Sequence, residues 1–166
     1  MFVVVVPYSE LSSGNISECL SLLGVPHAVG AGYVEGCTHV ILSGGPAHVY
    51  ERHPGIPLWI FNTPVKVLGI CYGMQLIVEA FGGYVHNTGE NKKEIEYTID
   101  KDLVRRPRYV NRRDIVLFIP DGFTIFEASE NGVIAGIRRG RWTAVQYHPE
   151  SKKCRDLTIF EDFINL

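Results

Sequence analysis

A single cysteine, flanked by glycines at fixed spacing, constrains the fold of this chain more than any other feature. Segment 65–75 reads VKVLGICYGMQ, so Cys71 follows an apolar run and precedes a helical pattern, with Gly69 two residues before it and Gly73 two residues after it. A sharp turn from a strand into a helix strains its central residue and crowds the flanking positions, where side chains would clash. The spacing therefore predicts a strand-to-helix turn centred on Cys71.

Cys71 is a candidate nucleophile because of where this turn would place it. Open α/β sheets bind ligands at the carboxyl ends of their strands. The first turn of the following helix stabilises a thiolate through its backbone N–H groups and its dipole. The alternative is a buried core cysteine, which is the common fate of a free thiol. The paired glycines favour the nucleophile.

The order of apolar runs predicts an α/β fold. The continuous β-branched run 2–6 is typical of a strand buried on both faces of a parallel sheet. Residues 95–99 alternate between apolar and polar, which indicates an antiparallel strand with one solvated face. We therefore expect an open, mainly parallel twisted sheet flanked by helices, with extra antiparallel strands in the second half. The predicted strands are 2–6, 28–31, 39–42, 65–70, 95–99, 115–118, 124–128, 133–137 and 142–147, and the predicted helices are 15–23, 72–81 and 157–165.

His148 is the candidate base for the Cys71 thiol. Among the six histidines it alone closes a predicted strand, 142–147, and enters another loop at the carboxyl edge. Residues two apart in extended chain point the same way, so Glu150 can lie beside His148 and hold its ring. Cys71, His148 and Glu150 would then act as nucleophile, base and orienting group. The alternative is a surface His-Pro-Glu turn.

The segment Ser43-Gly44-Gly45-Pro46 follows the predicted strand 39–42 directly. Two glycines leave backbone N–H groups uncovered, so a carbonyl oxygen can approach them closely. Gly45 and the N–H of Tyr72, the residue after the nucleophile, could together form an oxyanion hole. The segment matches no phosphate-binding pattern, and a plain turn remains the alternative.

Composition excludes several other classes of protein. The 166 residues include 16 Lys and Arg against 18 Asp and Glu, a balance that argues against a general nucleic-acid binder. No apolar run is long enough to span a membrane, and the apolar start is too short for a signal-peptide core. The four cysteines show no CxxC pairing and no metal-ligand spacing. We expect one cytoplasmic domain, residues 1–166, that binds neither nucleic acid nor membrane.

These motifs together resemble the class I glutamine amidotransferases. That family carries a Gly-Gly-Pro loop, a Gly-x-Cys-x-Gly-x-Gln elbow and a His-Pro-Glu end, all present here in the same order. Within the family, the segments 43–50, 71–75 and 120–123 are most similar to the amidotransferase part of GMP synthases. The resemblance covers nearly the whole chain and implies a flavodoxin-like sheet.

The resemblance also implies a reaction. Cys71 would attack the side-chain amide of L-glutamine, His148 would protonate the leaving ammonia, and water would hydrolyse the thioester. Gly44, Gly45 and Tyr72 would bind the oxyanion, and Gln75 would help hold glutamine. No metal or cofactor is expected in this chain, because ATP and Mg²⁺ would belong to a separate synthetase of the GMP synthase type that receives the ammonia. The alternatives are an anthranilate or aminodeoxychorismate type of amidotransferase, a γ-glutamyl hydrolase, and a non-catalytic regulatory homologue.

One region departs from the GMP synthase pattern. Where those enzymes have Ser-His-Gly-Asp, this chain has Asn111-Arg112-Arg113-Asp114, so that only Asp114 is kept. Five arginines lie within nine positions here, which predicts either a solvated loop or a surface that docks an acidic partner. These are Arg105, Arg106, Arg108, Arg112 and Arg113.

Overall fold

The computed structural model describes residues 1–166 and contains one sheet of nine strands with four helices. None of its helices combines the length and apolar character needed to cross a membrane. The elements in chain order are β1 (Val3–Val6), α1 (Glu10–Leu22), β2 (His27–Val29), β3 (His39–Leu42), α2 (Leu58–Phe61), β4 (Lys66–Ile70), α3 (Tyr72–Ala80), β5 (Tyr84–Asp100), β6 (Arg105–Phe118), β7 (Thr124–Ser129), β8 (Ile134–Arg139), β9 (Trp142–Val145) and α4 (Leu157–Ile164).

The sheet has a parallel half and an antiparallel half. Its strand order is β2-β1-β3-β4-β9-β8-β7-β5-β6. Every pairing from β2 to β9 is parallel, and every pairing from β9 to β6 is antiparallel. The predicted α/β class and the antiparallel additions are therefore confirmed. Because β3, β4 and β9 are parallel neighbours, their carboxyl ends open at one edge of the sheet.

The core lies on both faces of the parallel half. All four side chains of β1 are buried because alternate residues of a strand point to opposite faces. Val4 and Val6 belong to the core cluster that includes residues of α3, whereas Val3 and Val5 belong to the cluster that includes residues of α1 and α4. Helices thus cover both faces, which explains why the run 2–6 is continuously apolar rather than alternating.

Helix α1 begins earlier than the sequence pattern predicts. We expected a start near Asn15 with Ser13 or Asn15 as the cap, but the helix starts at Glu10, and Ser9 is its cap. The Ser9 hydroxyl accepts a hydrogen bond from the N–H of Ser12 at 3.2 Å, which satisfies one of the free donors of the first turn. The apolar pattern begins only at Ile16, so it marks the buried face of the helix and misses its polar first turn.

The strands β5 and β6 form a long hairpin, here called the ribbon, that runs from residue 84 to residue 118. We predicted only 95–99 and 115–118 as strands, and we treated the arginine-rich segment as a loop or an exposed surface. The segment forms strand β6 and not a loop, and the prediction fails for Arg108 and Arg112, which are buried against carboxylates. Arg105 and Arg113 are exposed, as predicted. Arg108 pairs with Glu127 at 2.9 Å, and Arg112 pairs with Glu96 at 3.1 Å.

Candidate active site

Three loops meet at the carboxyl edge of the parallel strands. They follow β3, β4 and β9, and they carry the Gly44-Gly45 segment, Cys71 and His148 respectively. A cavity of about 780 Å³ opens between these loops, the start of α1 and the ribbon. Six of the seven predicted site residues line it, namely Gly44, Gly45, Cys71, Gln75, His148 and Glu150. The seventh, Tyr72, does not.

The cysteine elbow has the predicted geometry. Cys71 has φ 53° and ψ −104°, in a backbone region that residues other than glycine rarely adopt. A Cβ atom at position 69 would lie 2.7 Å from the carbonyl carbon of Gly73. A Cβ atom at position 73 would lie 2.3 Å from the carbonyl oxygen of Leu42. Both positions therefore require glycine because the backbone is close. Gly69 approaches the backbone of Gly73 within the elbow, and Gly73 approaches the backbone of the neighbouring strand β3.

Asn111 and Gln146 both contact the Cys71 sulfur. Its thiol donates to the carbonyl oxygen of Asn111 on the ribbon at 3.7 Å, and the side-chain Nε2 of Gln146 donates to the sulfur at 3.6 Å. An amide N–H aimed at the sulfur can stabilise negative charge that develops there during attack on a substrate. We did not identify Gln146 from the sequence. In the sequence, Gln146 stands out only as a polar residue that directly follows a buried strand and lies two positions before His148.

His148 and Glu150 lie side by side, as the spacing predicts. The ring Nδ1 of His148 is 3.1 Å from Oε1 of Glu150 and 3.2 Å from Oε2. The Glu150 carboxylate is almost fully buried, with 1% of its side chain exposed. A buried carboxylate needs hydrogen-bond donors. Glu150 obtains a second one from Ser12, whose hydroxyl donates to Oε2 at 2.6 Å.

The surroundings of His148 favour its charged form. Burial by itself lowers the pKa of His148, but attraction to Cys71, a hydrogen bond with Cys71 and the contacts with Glu150 raise that pKa well above its usual value of about 6.5. A protonated imidazole beside a thiolate is the charge pair that activates cysteine nucleophiles.

The two glycines after β3 have different roles. Gly44 lies against His148, since a Cβ atom there would be 2.6 Å from the ring Cε1. Its N–H already donates to Ser12 Oγ at 2.9 Å, so Gly44 contributes space and not a free donor. Gly45 packs against Tyr8, where a Cβ atom would be 2.8 Å from the Tyr8 carbonyl oxygen. The Gly45 N–H remains the candidate oxyanion donor of this loop.

Tyr72 can contribute only its backbone to the candidate site. Its ring is buried on the other side of the elbow and packs edge-on against Tyr8, with ring centroids 5.3 Å apart. Burial, followed by the charge of Glu79, raises the pKa of Tyr72 to about 12. Its N–H lies in the first turn of α3, where backbone donors have no partner within the helix.

Gln75 connects helix α3 to the ribbon. Its side chain is buried, and its Nε2 donates to the backbone carbonyl of Asp114 at 3.2 Å. The amide therefore holds one wall of the cavity in place. Whether glutamine contacts it directly stays a prediction.

A second polar cluster closes one side of the cavity. The Nδ1 of His48 is 2.5 Å from Oδ2 of Asp114, and the Tyr50 hydroxyl donates to Oδ1 of Asp114 at 2.9 Å. The rings of His48 and Tyr50 stack, with centroids 5.1 Å apart. These contacts tie the loop after β3 to the ribbon. The sequence identifies Asp114 as the one residue of segment 111–114 that matches the GMP synthase pattern. It does not reveal the partners of Asp114, because they lie 64 and 66 positions away.

Four exposed cations surround the opening of the cavity. The two carboxylates that line it, Glu150 and Asp114, are buried, so the exposed rim is positively charged. Lys152 is 3.6 Å from Glu18, whereas the other three cations have no carboxylate within 4 Å. Of the five arginines that drew attention in the sequence, only Arg113 belongs to this exposed set. The cations are Lys93, Arg113, Lys152 and Lys153.

The other four arginines of this segment pair with carboxylates, and among them only Arg112 also lines the main cavity. Arg105 pairs with Glu130, and Arg106 pairs with Asp100. Arg106 and Arg108 line a separate cavity of about 290 Å³ beside α4. No group of three or more His, Cys, Asp or Glu side chains is placed to hold a metal ion.

The fold and the site define an α/β protein with a candidate cysteine nucleophile on a strand-to-helix elbow, next to a half-buried histidine that is paired with a buried glutamate. The chain belongs to the class I glutamine amidotransferase family, whose sequence model matches residues 16–166. The predicted family is thus confirmed.

Similar proteins point in the same direction. The chain is 40% identical over 137 residues to the glutamine-hydrolysing GMP synthase of Pyrobaculum aerophilum, covering 75% of this chain and 26% of that protein. It is 37% identical over 141 residues to the protein of the same name from Thermosipho melanesiensis, covering 77% and 27%. The chain therefore spans about a quarter of the length of these curated relatives.

A solved structure matches the fold. The crystal structure of a protein from Thermoplasma acidophilum, described as a candidate component of a GMP synthase, superimposes with a TM-score of 0.83 at 22% identity. The match covers 99% of this chain and 92% of that one. At this identity the likeness establishes the architecture only.

Proposed function

We propose that this chain hydrolyses the side-chain amide of L-glutamine through a covalent intermediate on Cys71. The observation that carries the proposal is the placement of Cys71, His148 and Glu150 in the lining of one cavity, with His148 hydrogen-bonded to Glu150. Membership of the class I glutamine amidotransferase family supports the substrate class.

The reaction starts when the Cys71 thiolate attacks the amide carbonyl carbon of glutamine. The N–H groups of Gly45 and Tyr72 stabilise the oxyanion that forms. Protonated His148 gives its proton to the amide nitrogen, the C–N bond breaks, and ammonia leaves a γ-glutamyl thioester on Cys71. Water then attacks the thioester and passes a proton to His148, and the products are glutamate and the regenerated thiolate. Glu150 keeps the ring oriented throughout.

The ammonia passes to an ATP-dependent synthetase, and GMP synthesis is the pathway that we propose. The names of the curated relatives support this assignment. The positive rim of the cavity suits a partner that presents acidic side chains around the ammonia entrance. ATP and Mg²⁺ would be bound by that partner.

A glutaminase assay on the purified chain tests the hydrolysis. Wild-type protein, with and without a GMP synthase-type synthetase, is expected to release glutamate and ammonia from glutamine, and Cys71→Ala is expected to lose this activity. Cys154→Ala serves as the matched control, because Cys154 is partly exposed and lies outside the cavity. Activity that survives in Cys71→Ala contradicts the proposed nucleophile.

A labelling experiment addresses the same thiol without turnover. A glutamine-like electrophile should modify Cys71 and leave Cys154 unmodified, as determined by mass spectrometry of the digested protein. Absence of the label at Cys71 in folded protein would favour a non-catalytic homologue.

A further inference from the structure

We propose that Ser12 is a positioning residue that couples the candidate catalytic carboxylate to the candidate oxyanion loop. This inference rests on the proposed function. Its basis is a single buried hydroxyl that contacts both parts of the site at once. Ser12 belongs to the first turn of α1, at the opposite end of the chain from Glu150.

The Ser12 hydroxyl both donates and accepts a hydrogen bond. Its O–H donates to Oε2 of Glu150 at 2.6 Å, and its oxygen accepts from the N–H of Gly44 at 2.9 Å. Ser12 is 6% exposed and Glu150 is 1% exposed, so water does not compete strongly for either contact. Hydrogen bonds to a buried carboxylate are stronger than neutral ones. Ser12 therefore links Glu150 directly to Gly44.

Ser12 is one of only two side chains that contact the Glu150 carboxylate, and the other is His148. Arg155 lies close to Glu150 but donates to its backbone carbonyl, at 2.9 and 3.1 Å. Without Ser12, one carboxylate oxygen would keep only the shared contact with His148. The orientation of the imidazole then depends on a carboxylate that is itself poorly held.

The contact with Gly44 matters because of the peptide unit that follows. The carbonyl oxygen of Gly44 accepts from the hydroxyls of Ser9 at 3.0 Å and Ser43 at 2.9 Å. In a planar trans peptide the next N–H points opposite to that carbonyl, so these contacts set the direction of the Gly45 N–H. With Ser12 on the Gly44 N–H, three serine hydroxyls hold this segment.

The local structure explains how Ser12 reaches this position. Ser9 caps α1 by accepting from the N–H of Ser12, and the same Ser9 hydroxyl donates to the Gly44 carbonyl. The helix start and the oxyanion loop are thereby fixed to one another. Ser12 lies where the capped first turn approaches both Gly44 and Glu150.

The neighbouring residue provides a matched control. Ser13 is buried to the same extent, and its hydroxyl donates to the backbone carbonyl of Ser9 at 2.8 Å within its own helix. It contacts neither Glu150 nor Gly44. Ser12→Ala and Ser13→Ala therefore remove equivalent buried hydroxyls from one helix turn, and only the first removes the proposed coupling.

Steady-state glutaminase kinetics with these two variants test the proposal. Ser12→Ala is expected to lower kcat at least ten-fold while KM changes less than three-fold, because the loss concerns catalytic groups more than substrate binding. Ser13→Ala should keep both constants within three-fold of wild type. Equal behaviour of the two variants overturns the proposal.

An NMR titration of the His148 ring gives a second readout that needs no activity. The positive end of the Ser12 hydroxyl faces Glu150, so its removal leaves the negative charge of the carboxylate less compensated. That charge then favours the protonated ring, although the carboxylate is less firmly positioned. The other groups facing the ring are Cys71 and Tyr109. The pKa of His148 should rise in Ser12→Ala and stay unchanged in Ser13→Ala. An unchanged pKa in Ser12→Ala contradicts the coupling.

Amide hydrogen exchange in the wild-type protein keeps the proposal testable even when Ser12→Ala does not fold. The Gly44 N–H, bonded to Ser12, should exchange more slowly than the Gly45 N–H. Equal, fast exchange of both amides counts against the Ser12 contact.

A wild-type protein without glutaminase activity would refute the proposed function alone, whereas an active wild type with an unaffected Ser12→Ala variant would refute only this inference.

Discussion

Gly73, in the first turn of α3, lies so close to Leu42 at the end of β3 that a Cβ atom at position 73 would be 2.3 Å from the Leu42 carbonyl oxygen. This contact brings the cysteine elbow and the neighbouring strand to one edge of the sheet. A backbone carbonyl cannot turn aside as a long side chain can, so the elbow tolerates no side chain here.

Gly73→Ala is therefore expected to lower the free energy of unfolding by about 3 kcal/mol, at the upper end of overpacking costs. Gly14→Ala is the matched control, because Gly14 also lies in a helix but has no atom within 4 Å of an added Cβ. That replacement should raise stability by about 0.5 kcal/mol through helix propensity. Urea unfolding measures both changes. If the two variants had the same free energy of unfolding, the backbone around position 73 would be able to shift and accept a Cβ atom, and the prediction would be wrong.

The charge of His148 should depend on Cys71. Burial lowers the pKa of His148, while the attraction and hydrogen bond from Cys71 are the largest influences that raise it. In Cys71→Ala the burial remains and these influences are lost, so we expect the pKa to fall. Titration of the ring by NMR measures the shift, with Cys154→Ala as a control that should leave the pKa unchanged.

The same shift predicts a pH dependence of stability. The folded-state pKa of His148 lies above its unfolded value of about 6.5. Protonated His148 therefore contributes stability that is complete below about pH 6.5 and is lost as the pH rises through the folded-state pKa. The urea midpoint of the wild type should decline across that alkaline range. The prediction would be wrong if NMR showed that His148 titrates in this pH range while the urea midpoint stayed constant.

Gln146 should activate the thiol. Because its Nε2 donates to the Cys71 sulfur, Gln146→Leu is expected to slow alkylation of Cys71 by iodoacetamide at neutral pH about ten-fold, equivalent to about 1.4 kcal/mol. Thr143→Val is the control, since Thr143 is a buried polar residue of the adjoining strand β9 and does not line the cavity. Alkylation at the wild-type rate in Gln146→Leu would exclude the role.

Two buried threonines should respond in opposite ways to removal of their hydroxyls. The Oγ1 of Thr143 has no hydrogen-bond partner among the protein atoms, whereas that of Thr98 donates to Glu127. Thr143→Val should leave stability unchanged or raise it, and Thr98→Val should lower it by about 2 kcal/mol, because it leaves a buried carboxylate with one donor fewer. Thermal unfolding of both variants provides the comparison. A loss of stability in Thr143→Val would mean that its hydroxyl is satisfied.

Charge reversal should have different effects at the neighbouring residues Arg112 and Arg113. Arg113 is exposed at the rim of the cavity, so Arg113→Glu should leave the fold intact and weaken binding to an acidic partner, as measured by pull-down with a candidate synthetase. Arg112→Glu would place a second carboxylate beside buried Glu96 and should destabilise the protein by about 3 kcal/mol or more. Unchanged partner binding by folded Arg113→Glu would contradict the docking role.

The sequence by itself determined the features that depend on neighbouring residues. The spacing of Gly69, Cys71 and Gly73 predicts the elbow because the crowding arises within one turn of chain. The spacing of His148 and Glu150 predicts their contact because extended residues two apart share a side. The continuous apolar run at 2–6 likewise predicts a strand buried on both faces, and the structure contains each of these features.

Only the tertiary structure decided which distant side chains complete the site. Ser12 and Glu150 are 138 positions apart, and Gln146 and Cys71 are 75 apart. No local periodicity encodes such pairs, because they form when separate strands and a capped helix pack against one sheet edge. The same reason explains the arginine-rich segment, where a run of charges resembles a loop until Glu96 and Glu127 supply buried partners for Arg112 and Arg108.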